Sequence, residues 1–174
     1  MTSSDSEANA RREAALRIVR VVGPPGSGKT LLITTLIEAL RSRGVFTATS
    51  APREGRATVI TASNGARITA ERLLNAQELR QLTITVDPRA TLLLAESLEA
   101  PGTFAIEIVP PGAQPTTNRS DLIALVSLTP SRDHATFGPA QAPGLADLLV
   151  ATVLRCEPHV KRKIGLLGRL FRRA

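Results

Sequence analysis

The chain has 174 residues, enough for one domain with short appendages, and 43% of them are hydrophobic although Trp and Tyr are absent. A single cysteine excludes an internal disulfide framework and fits a reducing, cytoplasmic compartment. Six of the 22 basic residues follow Val160 with no acidic residue among them, so the net charge of +7 falls to +1 without the end of the chain. A nucleic-acid-binding surface across the body of the protein is therefore not indicated.

The first predicted unit is a strand, a glycine-rich loop and a helix. Ile18–Val22 is a β-branched apolar run typical of a buried strand, and Lys29–Arg43 contains only helix-forming residues before a stop at Gly44. The loop between them matches the P-loop (Walker A) pattern in full. Its residues are Gly23, Pro24, Pro25, Gly26, Ser27, Gly28, Lys29 and Thr30.

The spacing of this loop predicts binding of a phosphate chain. Successive backbone N–H groups at a helix N-terminus form a nest for an anion, and the helix dipole favours the same charge. We expect Lys29 to reach the β- and γ-phosphates as a catalytic residue, and the Thr30 hydroxyl to ligate Mg²⁺. The predicted ligands are Mg²⁺ and either ATP or GTP.

The next segment is predicted to contain a strand, a β-hairpin and a helix. Val45–Ser50 is the strand, and the hairpin is an insertion at 56–69 around Asn64-Gly65, a pair typical of tight two-residue turns. A helix is predicted over Thr69–Leu82, with Thr69 as its cap.

Apolar runs separated by turn residues continue to the end of the body. We predict a short strand at Thr83–Val86, a helix at Arg89–Ala100, strands at Thr103–Val109 and Asp121–Leu128, loops at 110–119 and 129–143, and a last helix at Gly144–Arg155. Strands that alternate with helices of about a dozen residues predict an α/β fold, a mostly parallel sheet flanked by helices as in P-loop NTPases. Ligands of such sheets bind at the carboxyl ends of the strands.

A carboxylate near Mg²⁺ is expected in a P-loop enzyme, at the end of a neighbouring apolar strand. Glu107, in the run TFAIEIVPPG, is the first candidate for this metal-binding and catalytic role. Asp87, which follows TITV, is the alternative metal ligand. The sequence leaves the choice open.

The residues Gly23–Thr30, the following LLITTLIEALRSRG and the strand ending AIEIVPPG resemble the SIMIBI class of P-loop NTPases. That class includes nickel-insertion GTPases, molybdopterin-cofactor adaptor proteins and Min D/Par A-type ATPases. The resemblance implies a nucleotide-controlled switch or assembly factor, with a partner protein or a nucleotide-dependent homodimer. Prolines replace the extra P-loop lysine of the Min D/Par A subgroup, and TPSRD stands where a guanine-reading Asn-Lys-x-Asp motif would lie.

The segment VKRKIGLLGRLFRRA, residues 160–174, is a basic amphipathic helix when it is placed at about 100° per residue. Its apolar residues share one arc and its arginines the opposite one. The segment resembles the membrane-targeting helix of Min D-type ATPases, which implies recruitment to an anionic surface at the inner membrane. A partner protein and, less favoured, nucleic acid are the alternatives.

The predicted organisation has three parts: a flexible N-terminal segment at 1–15, a P-loop NTPase domain at 16–156 and the basic tail at 157–174. The favoured function is a Mg²⁺-dependent NTPase that acts as a switch. The alternatives are a small-molecule kinase or cofactor-adaptor enzyme, with its acceptor site at the hairpin 56–69 and the loop 110–120, and a nucleotide-binding module without hydrolysis.

Overall fold

A computed structural model describes residue 7 and residues 11–155. The strands are β1 (Arg17–Val22), β2 (Thr47–Arg53), β3 (Ala57–Thr61), β4 (Arg67–Ala70), β5 (Leu92–Glu96), β6 (Phe104–Ile108), β7 (Leu122–Val126) and β8 (Ala135–Phe137). The helices are α1 (Lys29–Arg41), α2 (Ala76–Val86) and α3 (Ala142–Leu149), which a π-helical segment, Val150–Leu154, continues. Residues 11–15 are also helical.

The strands form one eight-stranded sheet in the order β4-β3-β2-β5-β1-β6-β7-β8. Six neighbouring strands of the sheet pair in parallel: β2, β5, β1, β6, β7 and β8. The strands β3 and β4 form an antiparallel hairpin that extends the sheet beyond β2. The predicted α/β class and the hairpin insertion are both confirmed. The carboxyl ends of the parallel strands share one edge, which we call the carboxyl edge, and their beginnings share the amino edge.

Each face of the sheet has its own hydrophobic core, because side chains alternate between faces along a strand. On one face α1 and α3 pack against alternate strand residues; this core includes Val21, Leu36, Leu94, Ile106 and Leu145. On the other face, α2 packs against the strand residues that alternate with those of the first core; this second core includes Ile18, Leu79, Ile84, Leu93 and Ala95. The face on which a strand residue lies therefore decides which helix it meets.

The helix predicted at Arg89–Ala100 is wrong. The middle of this segment is β5, which lies between β1 and β2 and is buried from Leu92 to Ala95. Leu and Ala have high helix propensity, but pairing on both sides and burial on both faces override so weak a preference. The apolar run is thus a central strand of the sheet.

The elements on either side of residue 75 also differ from the prediction. Thr69 lies on β4, and α2 begins after Asn75 and continues through the segment predicted as the strand Thr83–Val86. Asn75 Oδ1 accepts the backbone N–H groups of Gln77 and Glu78 at 3.0 Å, and the Glu78 carboxylate accepts Asn75 N–H at 2.9 Å. This capping box sets the start of the helix.

Two further boundaries differ. The predicted loop 129–143 contains β8, whose three residues extend the parallel sheet beside β7. The helix α1 ends at Arg41, two residues before the predicted end. The predicted tail at 157–174 and most of the N-terminal segment lie outside the described residues. No helix among residues 7 and 11–155 is long and apolar enough to cross a membrane.

Candidate functional site

The P-loop lies at the carboxyl edge, between the end of β1 and the start of α1. Gly28, the N-cap of α1, has a φ of 90°, a backbone conformation that residues with a Cβ rarely adopt. A Cβ on Gly23 would lie 2.9 Å from Ser27 Oγ and 3.0 Å from the carbonyl oxygen of Ile108. The loop therefore requires glycine at both positions, one for conformation and one for close approach.

The Lys29 ammonium folds back over this loop. Its Nζ donates to the carbonyl oxygens of Gly23 and Pro24, both at 2.9 Å, and the residue is 9% exposed. Within the described part of the chain it forms no ion pair with a carboxylate. Ser27 Oγ in the same loop is buried and has no hydrogen-bond partner among the described residues. The loop thus carries a positive charge that no carboxylate of the described residues balances, and a hydroxyl without a hydrogen-bond partner among those residues.

Thr30, the second residue of α1, contacts Glu96. Its Oγ1 donates to Glu96 Oε2 at 3.1 Å. Glu96 is the last residue of β5, pairs with Val21 and shares with it the face on which α1 packs. The structure therefore places a hydroxyl and a carboxylate together beside the P-loop, the kind of oxygen donors that Mg²⁺ prefers.

The backbone is strained directly after this carboxylate. Ser97 has a φ of 55°, uncommon for a residue with a side chain, and its N–H donates to Val21 O at 3.1 Å. The bond ties the end of β5 to β1, the strand that leads into the P-loop. Such strain is frequent at functional sites, where the surrounding structure maintains it.

Glu107 is not brought to Thr30. It pairs with Val22 on β6 and lies on the face opposite to α1. Its carboxylate accepts the Thr116 N–H at 2.7 Å, the Thr116 hydroxyl at 2.8 Å and the Thr117 N–H at 2.9 Å. Burial alone raises the pKa of Glu107, but these hydrogen bonds more than offset it, so its pKa lies below the ordinary value. The carboxylate secures the loop that follows β6.

Asp87 is also remote from the P-loop. It caps the end of α2 and precedes β5, so it lies at the amino edge, whereas the P-loop lies at the carboxyl edge. Its carboxylate accepts the backbone N–H groups of Ser63 at 2.7 Å and Arg89 at 3.3 Å. Neither predicted carboxylate contacts Thr30, and sequence reasoning missed Glu96 because its segment was assigned to a helix. The available signal was a carboxylate ending the apolar run LLLAE.

A cavity of about 390 Å³ opens at the same carboxyl edge, beyond β7 and β8. Its lining residues are Ser127, Leu128, Pro130, Thr136, Gly138 and Gln141. The cavity is two to three strand spacings from β1, which is roughly 10–14 Å. Gln141 Oε1 accepts the Gly138 N–H at 2.7 Å, which fixes the position of this amide.

Comparison with known proteins gives one family match. The family model described as AAA ATPase domain (AAA_16) matches residues 6–137, which include the P-loop, Glu96 and Glu107. No curated protein matches the chain.

Solved structures with the same fold include the molybdopterin-guanine biosynthesis protein B (MobB), at 21% identity and a TM-score of 0.51, with 77% of this chain and 97% of that chain covered. MobB of Bacillus subtilis is 19% identical with a TM-score of 0.55, over 78% and 97% of the two chains. A MobB homologue from Bacillus stearothermophilus is 20% identical with a TM-score of 0.54, over 77% and 95%. At these identities the likeness concerns the fold.

Proposed function

We propose that this chain, which belongs to the AAA ATPase domain family, binds a nucleoside triphosphate with Mg²⁺ at the P-loop and hydrolyses it. The observation that carries the proposal is the 3.1 Å contact between Thr30 Oγ1 and Glu96 Oε2 beside an intact P-loop. It supplies the carboxylate that hydrolysis needs, in contact with the hydroxyl that the P-loop pattern assigns to the metal.

The residues present fit Mg²⁺ and a phosphate chain. Thr30 and Glu96 offer oxygen donors for the ion, directly or through water, and bound Mg²⁺ supplies neutralisation of phosphate charge. Lys29 would exchange its two carbonyl partners for phosphate oxygens, and the buried Ser27 hydroxyl would become a further donor after a side-chain rotation. Glu96 is also placed to orient a water molecule, a role in which a carboxylate acts as a general base.

The base of the nucleotide is proposed to bind in the cavity beyond β7 and β8. That cavity shares the carboxyl edge with the P-loop, and the ribose together with the phosphate chain would have to span the distance between them. The segment TPSRD lacks the guanine-reading motif, so recognition must come from other groups. Ser127 and Gln141 of the lining can donate and accept hydrogen bonds to either purine, whereas the Thr136 hydroxyl is already engaged with Ser131 and His134.

In the cell, we propose that nucleotide turnover makes the protein a switch or assembly factor. Residues 160–174 would recruit it to an anionic membrane surface, and a partner or a second copy would read the bound nucleotide. A cofactor-adaptor role is the second candidate, because the fold is that of MobB, a protein named for molybdopterin-guanine biosynthesis, and because the sequence resembles the SIMIBI class.

Binding and turnover of ATP and GTP with Mg²⁺ test the proposal. Titration calorimetry should show triphosphate binding by the wild type and by Glu96→Gln. Phosphate release by Glu96→Gln should fall by about 10²–10⁴-fold, as for loss of a general base. Glu107→Gln is the matched control and should retain turnover. Wild-type turnover that survives Glu96→Gln would refute the role of Glu96.

The dependence of turnover on added components separates the cellular roles. A switch should show slow turnover that a partner or anionic vesicles accelerate. A kinase or adaptor should consume nucleotide only with its acceptor, and a binding module should consume none in any condition.

A further inference from the structure

A second cavity lies at the amino edge, far from the P-loop. It has a volume of about 290 Å³, close to the lower end of small-molecule sites. Its walls come from the end of α1, the start of β2, the turn after β3 and the loop before β5. The lining residues are Ile37, Arg41, Gly44, Val45, Phe46, Thr47, Ser63 and Arg89. Lys29 and Arg41 stand at opposite ends of α1, about 18 Å apart, so the two sites do not overlap.

Two guanidinium groups and no carboxylate line this cavity. Neither Arg41 nor Arg89 forms an ion pair within the described part of the chain. The Arg89 guanidinium lies over the Phe46 ring, 4.8 Å from its centroid, which holds the charge at the rim of the cavity. Guanidiniums that line one cavity without an ion-pair partner among the described residues are fixed-fork donors available to carboxylate or phosphate oxygens.

A buried carboxylate outside the lining positions two of its residues. Asp87 is 3% exposed, and its oxygens accept the backbone N–H groups of Ser63 and Arg89. Two residues of the lining are therefore anchored to one buried group. This arrangement pre-organises their backbone and lowers the entropy lost on ligand binding.

Two hydroxyl groups of the lining have no partner. Thr47 is only 5% exposed, and neither its Oγ1 nor the buried Ser63 Oγ makes a hydrogen bond among the described residues. Buried polar atoms are satisfied in the large majority of cases, so two orphaned hydroxyls around one cavity call for an explanation. Both oxygen atoms are almost inaccessible from the cavity, so a bound polar group would satisfy them only after rotation of these side chains.

We propose that this cavity binds a small organic anion, whose charged group lies between Arg41 and Arg89 and whose apolar part lies against Val45 and Phe46. The two guanidiniums supply charge recognition, Val45 and Phe46 supply apolar contact, and rotation of the Thr47 or Ser63 hydroxyl would add a hydrogen bond. The inference is independent of nucleotide binding, because it involves none of the P-loop residues.

The test uses 4-fluorobenzoate and 4-fluorophenyl phosphate as probes, detected by ¹⁹F NMR titration of the full chain. The two probes distinguish a carboxylate from a phosphate ester as the preferred anion. 4-Fluorobenzamide, which has nearly the same shape without charge, should bind at least tenfold more weakly. Arg41→Gln and Arg89→Gln should each weaken binding of the preferred anion at least tenfold, whereas the exposed Arg67→Gln, a matched loss of one charge, should not.

Lys29→Ala separates this site from the P-loop. Probe affinity that is unchanged in Lys29→Ala but lost in the two arginine variants supports the cavity as the site, whether or not ATP binds elsewhere. The proposal is overturned by absence of binding by both anions, by equal binding of the amide, or by affinity that depends on Lys29 alone. Circular-dichroism melting verifies that each variant is folded, and Arg41→Lys and Arg89→Lys, which keep the charge, should retain part of the affinity.

Discussion

Glu96 and Glu107 flank β1 at its carboxyl end but lie on opposite faces of the sheet. Glu96 pairs with Val21 and Glu107 with the next residue, Val22. Since successive strand residues point to opposite faces, Glu96 shares the face of α1 and meets Thr30, whereas Glu107 meets the loop on the other side. A shift of one residue along β1 thus separates Glu96, which lies beside the P-loop, from Glu107, which holds the loop after β6.

Replacement of Glu107 should therefore affect stability. Glu107→Gln replaces one acceptor oxygen by a donor, which opposes the N–H groups of Thr116 and Thr117. A buried, unsatisfied group costs about 1–3 kcal/mol, so the free energy of unfolding in urea should fall by roughly that amount. The exposed Glu99→Gln is the control and should be neutral. Equal stabilities for all three proteins would contradict the anchoring role.

The same carboxylate predicts a pH dependence. The pKa of Glu107 is lowered in the folded protein, so the unfolded chain binds more protons and the stabilisation is complete only above the ordinary glutamate pKa of about 4.3. It is lost as pH falls from there through the folded pKa. The difference in unfolding free energy between wild type and Glu107→Gln should be constant near pH 7 and shrink below about pH 4. A difference that grows in acid would reverse the assigned direction.

Lys29→Ala should abolish the function of the P-loop without unfolding the protein. The ammonium contacts only two loop carbonyls among the described residues, so its loss leaves no buried carboxylate unpaired. Triphosphate affinity should fall at least tenfold, because a charge-assisted contact contributes about 1.5–3 kcal/mol. Calorimetry with ATP and GTP measures this effect. A folded variant with wild-type affinity would refute the predicted role of Lys29.

Asn75 should be the cap that starts α2. Asn75→Ala removes both acceptor contacts of the capping box and should lower the unfolding free energy by about 1 kcal/mol. Thr69→Ala, at the residue that the sequence favoured as the cap, should change it by less than about 0.5 kcal/mol because Thr69 lies exposed on an edge strand. The opposite ranking in chemical denaturation would support a helix that begins at Thr69.

The basic segment 160–174 should act apart from the nucleotide site. A chain truncated after His159 should bind nucleotide normally but no longer sediment with anionic vesicles, and added salt should weaken the binding of the full chain. Leu167→Glu combined with Phe171→Glu should abolish vesicle binding, whereas Leu73→Glu, at an exposed leucine of the body, should not. Salt-sensitive binding of DNA without vesicle binding would favour the nucleic-acid alternative.

The P-loop and its context could be predicted because that information is local. Eight consecutive residues specify the loop, a β-branched run precedes it, and a stretch without Gly or Pro follows it. The alternation of strands and helices indicated the parallel sheet in the same way. The Asn64-Gly65 turn placed the hairpin, since few residues adopt the required backbone conformation.

The carboxylate partner of Thr30 was decided by tertiary structure. Leu92–Glu96 has a composition that suits a helix, and only its position between β1 and β2, with both faces covered, makes it a strand. The choice between Glu96, Glu107 and Asp87 then depends on strand order, on register and on which edge and face each residue occupies. These properties depend on strand pairing between distant parts of the chain. A search for acidic residues after apolar runs therefore yields candidate carboxylates, but it does not identify the carboxylate that reaches the P-loop.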